Sequence, residues 1–568
     1  MIGSAFRMAS RAVLSRRWRS RIPGIVTLAV VGALLALAGN ATAASRARAW
    51  PRVDFPPPAA LKSADYRRQI STGRQNTFIQ LMNVGQQPST VVVDYYKDDG
   101  TFVAEDPPAT VAANGPLSIF QSTNNRLPPG FFGTAVISSD QPFRAVITTN
   151  VQDGNQISLG AENIPTHGAV VQYLPTVQKN FFGMQTMVLV QNLDDQQAAC
   201  VRVLLRSNRG DGQQIDYQDP ALQGSPDCPN AGNRVAPHGQ LTMAPEDLPA
   251  TVFSGAATVV SLQNSAKQTP LLAASARVWN SSGRQLLAYN GFIDGAPSVD
   301  PSSCTASTPP HGNVGGDDVA TKVLAPIAWK LAGGNHDFYS WFQIFNTDPC
   351  LPATVTASYF GPNVPLGSVT HQFTVPPLGS WGETPVFIPQ LPAGFVGSAV
   401  LTSDRPIAVT VVRQRLASDL VTATNGVPAD PGDNPPSGFY GSTPLYIYYV
   451  PLAYSHYHAL SGMLGWNSWV MVQTFDGSAA NFQTLFTGND PDGVCPSGQW
   501  SNANMRVNGS GIFYQSILNG FPPGVNLPCF VGSLRIVATQ PLAIMANVTT
   551  DMYAGDTDAG YNAIPGGP

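Results

Sequence analysis

The sequence predicts an all-β chain, four tandem antiparallel β-sandwiches behind an N-terminal signal helix. Three observations carry this. A sixteen-residue motif recurs at domain-length intervals. The runs around it are short, rich in β-branched and aromatic residues, and broken by Gly, Pro, Asn and Asp, with no helical apolar period sustained. Gly and Pro together supply 103 of 568 residues while 12% are charged, the balance of many turns between packed strands.

Residues 1–43 read as an export signal. Arg7, Arg11, Arg16, Arg17, Arg19 and Arg21 open it without an acidic residue, an apolar run spans Ile25 to Ala38, and Ala41-Thr42-Ala43 offers a small-x-small cleavage site. A run of fourteen is short for a membrane span, which takes about twenty. An uncleaved signal anchor is the alternative. Cleavage removes six Arg, takes the formal net charge from −4 to −10, and leaves a mature chain without a second long apolar run. No transmembrane span is expected there.

The repeat sets the domain count. Leu127-Pro128-Pro129-Gly130-Phe131-Phe132-Gly133 through Pro142 matches Leu391-Pro392-Ala393-Gly394-Phe395-Val396-Gly397 through Pro406. A third copy opens at Phe521-Pro522-Pro523-Gly524, takes five extra residues, and resumes at Val531-Gly532-Ser533; a looser one begins at Leu248-Pro249-Ala250. A turn Gly precedes the three closest copies by twelve residues, at Gly115, Gly379 and Gly509, and Gly239 lies nine ahead of the loose one. The copies start 121, 143 and 130 residues apart, long enough for each unit to bury its own core. The expected units are 52–168, 169–295, 321–429 and 443–568, with linkers at 296–320 and 430–442, strung as separate beads.

Within the first unit, strands are expected at Thr77–Met82, Thr90–Tyr96, Thr101–Val103 and Leu117–Phe120, with a turn at Asp98-Asp99-Gly100. Gly133–Ser138 and Phe143–Thr149 read as a hairpin through Ser139-Asp140-Gln141-Pro142. Six or seven strands in such a length are the signature of a sandwich. The Leu-Pro-x-Gly element is expected to carry the chain across the sandwich end, with the following Phe plugging the core.

Six cysteines in an exported chain point to disulfides. Neighbour order gives Cys200–Cys228, Cys304–Cys350 and Cys495–Cys529, each staying within one unit or its lead-in. No close C-x-x-C spacing suggests a metal cluster.

Reactive chemistry is sparse. No G-x-S-x-G, H-E-x-x-H, Walker or dinucleotide loop is present. His456 and His458 would share a strand face, without a visible third ligand, and His336-Asp337 is a dyad lacking a nucleophile. No catalytic residue and no cofactor is assigned. Calcium is a candidate at the acidic loops Asp490-Pro491-Asp492-Gly493, Asp317-Asp318 and Asp556-Thr557-Asp558, where plain turns are the alternative. The aromatic-dense opening of the fourth unit offers Tyr446, Tyr448, Tyr454, Tyr457, Trp466 and Trp469 as rings that could stack on sugars, unless alternation buries them. Low charge without a basic stripe argues against nucleic acid as a partner.

The motif Leu-Pro-x-Gly-Phe-x-Gly-[Ser/Thr]-Ala-Val, closing on Asp-x-Pro, resembles the repeats of uncharacterised exported bacterial surface proteins built of tandem immunoglobulin-like sandwiches. The resemblance implies a cell-surface or extracellular location and transfers no functional residue. The expected role is non-enzymatic: a structural or adhesive spacer contacting other surface proteins, copies of itself, or cell-wall and extracellular glycans. A carbohydrate-binding protein using the fourth unit is the alternative, and an extracellular hydrolase the third.

Overall fold

Each repeat unit lays down the same strand arrays, and local chemistry explains why. The computed structural model describes residues 75–566 apart from 166, 230–231, 281–284, 295–317, 334–336, 417–419, 431, 461 and 491. The signal segment, Cys304 and His336 lie outside the described residues. In the first unit Gln75–Asn83 pairs with Pro116–Phe120 and with Phe143–Asp153, which then pairs with Gln156–Asn163. A second array joins Ser89–Lys97 to Phe102–Glu105, Ala109–Val111 and Gly133–Ser139. Ser89–Lys97 alternates buried and more exposed residues along its length, as a strand packed on one face must. The other units repeat both arrays, all antiparallel and β-sandwich-like.

The expected hairpin is not one. Gly133–Ser139 pairs with Ser89–Lys97, whereas Phe143–Asp153 pairs with Gln75–Asn83 in the other array. Ser139–Pro142 is therefore a corner between sheets. The Asp140 carboxylate accepts the Thr90 amide at 2.8 Å on one side, and the Pro142 carbonyl accepts the Val84 amide at 2.9 Å on the other. The third unit takes the same corner within the continuous strand Phe395–Arg415, where Asp404 accepts the Thr354 amide at 2.7 Å.

The recurrent turn glycines accept a hydrogen bond from one position of each unit. The amides of Asn83, Asn192, Asn346 and Thr474 donate to the carbonyls of Gly115, Gly239, Gly379 and Gly509 at 2.8 to 3.0 Å. The side chain at that position closes the same turn. Asn346 Nδ2 donates to the carbonyls of Leu351, Val375 and Pro376, while its Oδ1 accepts the Asp348 amide. Asn83 and Asn192 make the equivalent set, and the Thr474 hydroxyl stands in for the amide in the fourth unit. All four are buried, so each spends its polar atoms on backbone that water cannot reach.

The Leu-Pro-x-Gly motif is explained by two glycines. Gly394, at φ +77°, sits where the Phe395 amide returns to the Pro392 carbonyl, the type II turn geometry that favours Gly. Gly397 has a different reason. A Cβ there would lie 2.2 Å from the Phe360 carbonyl oxygen, and the same clash, at 2.0 Å, faces Gly133, Gly255 and Gly532. Two residues earlier the plug is Phe253, Phe395 or Phe530, all buried, with Phe131 half-buried.

The cores do not stop at unit boundaries, so the expectation of separate beads gives way. The described residues belong to one compact body. Val151 of the first unit packs with Met187, Leu189 and Trp279 of the second. Tyr173 of the second packs tilted against Phe345 of the third at 5.1 Å, and Trp329 of the third stacks with Trp469 of the fourth at 6.2 Å. Val146, Ile157, Leu159 and Ala161 of the first unit share a core with Tyr448, Val450 and Tyr561 of the fourth. The contacts thus close a cycle.

The last strands of the four units, Gln156–Asn163, Leu286–Asn290, Val421–Asn425 and Asp558–Asn562, meet at the centre of that cycle. At one end Asn290 Nδ2 donates to the Asn163 carbonyl, Asn425 to Asn290, and Asn562 to Asn425. At the other end the buried Asp556 carboxylate accepts the Leu286 amide at 3.0 Å and the Val421 amide at 2.9 Å. Its own strand, Ala554–Asp556, pairs in parallel with Gln156–Ser158. One residue of the fourth unit therefore touches the other three. Beside it Arg413 pairs with Asp558 and lies 4.9 Å from the Trp469 ring and 5.4 Å from Trp329, a desolvated cation held by rings and a carboxylate.

Candidate functional site

The fourth unit departs from the repeat at one end, and there the candidate site forms. In the second and third units the first strand carries Lys179 and Lys330 opposite the plug residues Phe253 and Phe395. Lys179 Nζ donates to the Leu248 carbonyl, and Lys330 Nζ to those of Ile388 and Leu391, filling the space under the Leu-Pro turn. Opposite Phe530 the fourth unit has Ser455 instead. At this end an open groove of about 480 Å3 is lined by His456, Ile517, Leu518, Phe521, the Pro522–Pro523 turn and Leu527, the last of these contributed by the five-residue insertion.

Three loops frame this end. Tyr457 Oη donates to Asp492 at 2.8 Å, and His458 Nε2 lies 3.2 Å from the same carboxylate, tying the loop after Thr443–Ser455 to the 490–495 loop. The disulfide Cys495–Cys529 ties that loop to the insertion. On the first two of these loops Leu460, Met463, Leu464 and Val494 are 43% to 60% exposed, and Ile517, on the 515–517 turn that lines the groove, is 72% exposed. Exposed apolar residues taken singly are ordinary; here five fall within these neighbouring segments.

The aromatic residues expected to stack on sugars are mostly elsewhere. Tyr448, Tyr454, Tyr457 and Trp469 are buried, while Tyr446 and Trp466 are half-buried against the same core. Tyr454 and Tyr457 stack on each other at 5.3 Å, and burial pushes their hydroxyls well above the usual tyrosine range, with the Asp492 hydrogen bond adding to this at Tyr457. Partners on both faces of the strand and packing of the loop after it bury these rings, which makes four of the six unavailable as platforms.

The acidic and histidine candidates make the following contacts. Asp490 accepts the amides of Asp492, Val494 and Cys495 at 2.6 to 3.0 Å, Asp318 accepts the Ile293 amide, and Asp556 and Asp558 are held as described. Asp337 pairs with Arg415 at 2.6 Å. His456 and His458 lie at φ +49° and +53° in a loop, not along a strand. Among the described residues no three His, Cys, Asp or Glu side chains gather as a metal set. Ser455 Oγ lies 3.1 Å from His456 Nδ1. Ser455 is fully buried, so its hydroxyl cannot reach an external substrate, and the geometry lacks the base–orienter order of a nucleophilic triad.

Two disulfides match the expected neighbour pairing, Cys200–Cys228 and Cys495–Cys529. Cys350 is also disulfide-bonded. No helix among the described residues is long and apolar enough to cross a membrane. No family model matches the chain, and no curated protein matches it. Sequence reasoning missed the groove itself; the five-residue insertion, which supplies Val525 to Leu527 of its lining, was the visible signal.

Proposed function

We propose that the chain is a non-enzymatic extracellular or cell-surface protein of bacterial origin, built of four immunoglobulin-like sandwiches and exported on the signal at 1–43. Its role is structural and adhesive. The observation that carries this reading is the disulfide-stapled, apolar loop end of the fourth unit, the part of the repeat that varies while the recurrent letters serve backbone geometry. Disulfides suit an oxidising compartment. The partners that fit are other surface proteins or extracellular glycans meeting that end.

The test is direct. Intact producing cells are treated with a protease and probed with antibody to the fourth unit; labelling that disappears with the protease is expected, and signal confined to the cytoplasmic fraction sinks the reading. Attachment of purified chain to those cells then compares wild type with Leu460→Ser/Ile517→Ser. A loss of about tenfold in retained chain is expected for two contact residues, and equal retention removes this end as the contact surface.

A further inference from the structure

Four joints hold the cycle, and they are not alike. The joints between units one and two, two and three, and three and four each join consecutive units, and each carries one rung of the asparagine ladder. The joint between units four and one links residues some four hundred positions apart and has no peptide connector; Arg144, for instance, meets the Pro565 carbonyl across 421 positions. Instead of a ladder rung it uses the parallel pairing of Ala554–Asp556 with Gln156–Ser158, an arrangement slightly weaker per residue than antiparallel pairing. Asn489 Nδ2 adds a hydrogen bond to the Pro116 carbonyl at 3.1 Å. Under these bonds lies the shared apolar core of Ile157, Leu159 and Ala161 with Tyr448 and Tyr561.

This joint is heterologous, because the surface of unit one differs from the surface of unit four that covers it. Heterologous contacts close into rings or propagate as open assemblies, depending on whether they are satisfied within one body. We propose that the joint is exchangeable between copies: unit four of one chain docks on unit one of a second copy through the Gly555 strand and the Leu159 face. In a single chain the tether gives the closed form a high effective concentration, so closure prevails at micromolar protein. Exchange becomes visible when self-closure is blocked. The proposal holds whether or not the loop end of unit four is an adhesive surface.

Complementary variants of the full chain make the test. In one, Leu159→Arg places a charge in the shared core on the unit-one side and leaves unit four intact. In the other, Gly555→Val spoils the unit-four side, since Gly555 lies at φ +98° and a Cβ there would sit 2.6 Å from the Ile157 carbonyl oxygen; unit one is untouched. Neither variant can close its own joint, but the intact unit four of the first fits the intact unit one of the second. Light scattering on a sizing column is expected to show a one-to-one complex on mixing, about tenfold above the dimer fraction of either variant alone. A mixture that elutes as the sum of its parts, or variants that self-associate as strongly alone, overturns the proposal. If Leu159→Arg prevents folding, wild-type copies carrying donor or acceptor dyes are opened together in denaturant at high concentration and returned to buffer. Energy transfer between copies is then expected, and refolding to unmixed monomers alone overturns it.

Discussion

Replacing Asp556 by Ala removes one carboxylate and orphans two amides in different units. Leu286 and Val421 each lose a buried acceptor, and an unsatisfied buried donor costs about 1–3 kcal/mol. Two of them set a gross loss of roughly 2–6 kcal/mol. The carboxylate's own burial offsets part of this, because it opposes charge: burial holds its carboxyl well above the usual aspartate range, the two amides pull it down, and Asp558 pushes it up again. A net loss of about 2–4 kcal/mol at mildly acidic pH follows. The sign of the pH dependence follows from the raised value. The folded chain binds a proton there that the unfolded chain releases near pH 4, so this residue's stabilisation is full below that point and declines as pH rises through the folded value. The gap between wild type and Asp556→Ala therefore narrows toward alkaline pH. Urea unfolding at several pH values reads the gap, and amide exchange at Leu286 and Val421 reads the cause. Unchanged protection of both amides, or a gap that widens with pH, would refute the reasoning.

The remaining expectations concern the repeat. Gly532→Ala forces strands apart against the Thr487 carbonyl 2.0 Å away and is expected to cost about 3 kcal/mol, whereas Gly524→Ala meets no atom within 4 Å and costs only the left-handed strain of about 1–2 kcal/mol; equal denaturation midpoints would contradict the close-approach argument. Asn346→Ala strips three carbonyls and one amide of their partner and is expected to lower stability by about 2–4 kcal/mol, with Asn346→Asp lower still because it brings acceptors to acceptors; an Asp variant as stable as wild type would count against this. Removing the 495–529 bridge, across a separation of 34 residues, is expected to cost about 3–4 kcal/mol and to speed proteolysis within 489–495; an unchanged cleavage rate would show that the loops hold themselves.

Much was legible along the chain. Strand class, the turn glycines, the Phe plug and two of the disulfide pairings all depend on near neighbours or on comparison between copies. The failures share one cause. Ser139–Pro142 looks like a hairpin locally, but the acceptor at Asp140 and the carbonyl at Pro142 commit it to two sheets, a choice made by Thr90 and Val84 far upstream. The strand Gln156–Asn163 does alternate, Ile157, Leu159 and Ala161 against Ser158, Gly160 and Glu162, but the chain does not show that its polar face is buried too: Gly160 lies against Ala288 and Leu286 of the second unit, and Glu162 meets Arg277 at 3.6 Å. The tyrosines of the fourth unit were legible as aromatic and not as buried, since partners on both faces of Thr443–Ser455 hide most of its rings.

By itself, then, the amino-acid order determined the β class, most of the strands and the recurring motif, because backbone propensity and close approach act over a few residues or recur identically in each copy. The tertiary structure alone decided that the units share cores, that Asp556 joins them, and that a groove opens beside the inserted residues of the fourth unit. Those outcomes depend on which surfaces meet across hundreds of residues, and burial there rewards shape and hydrogen-bond partners that no local pattern records.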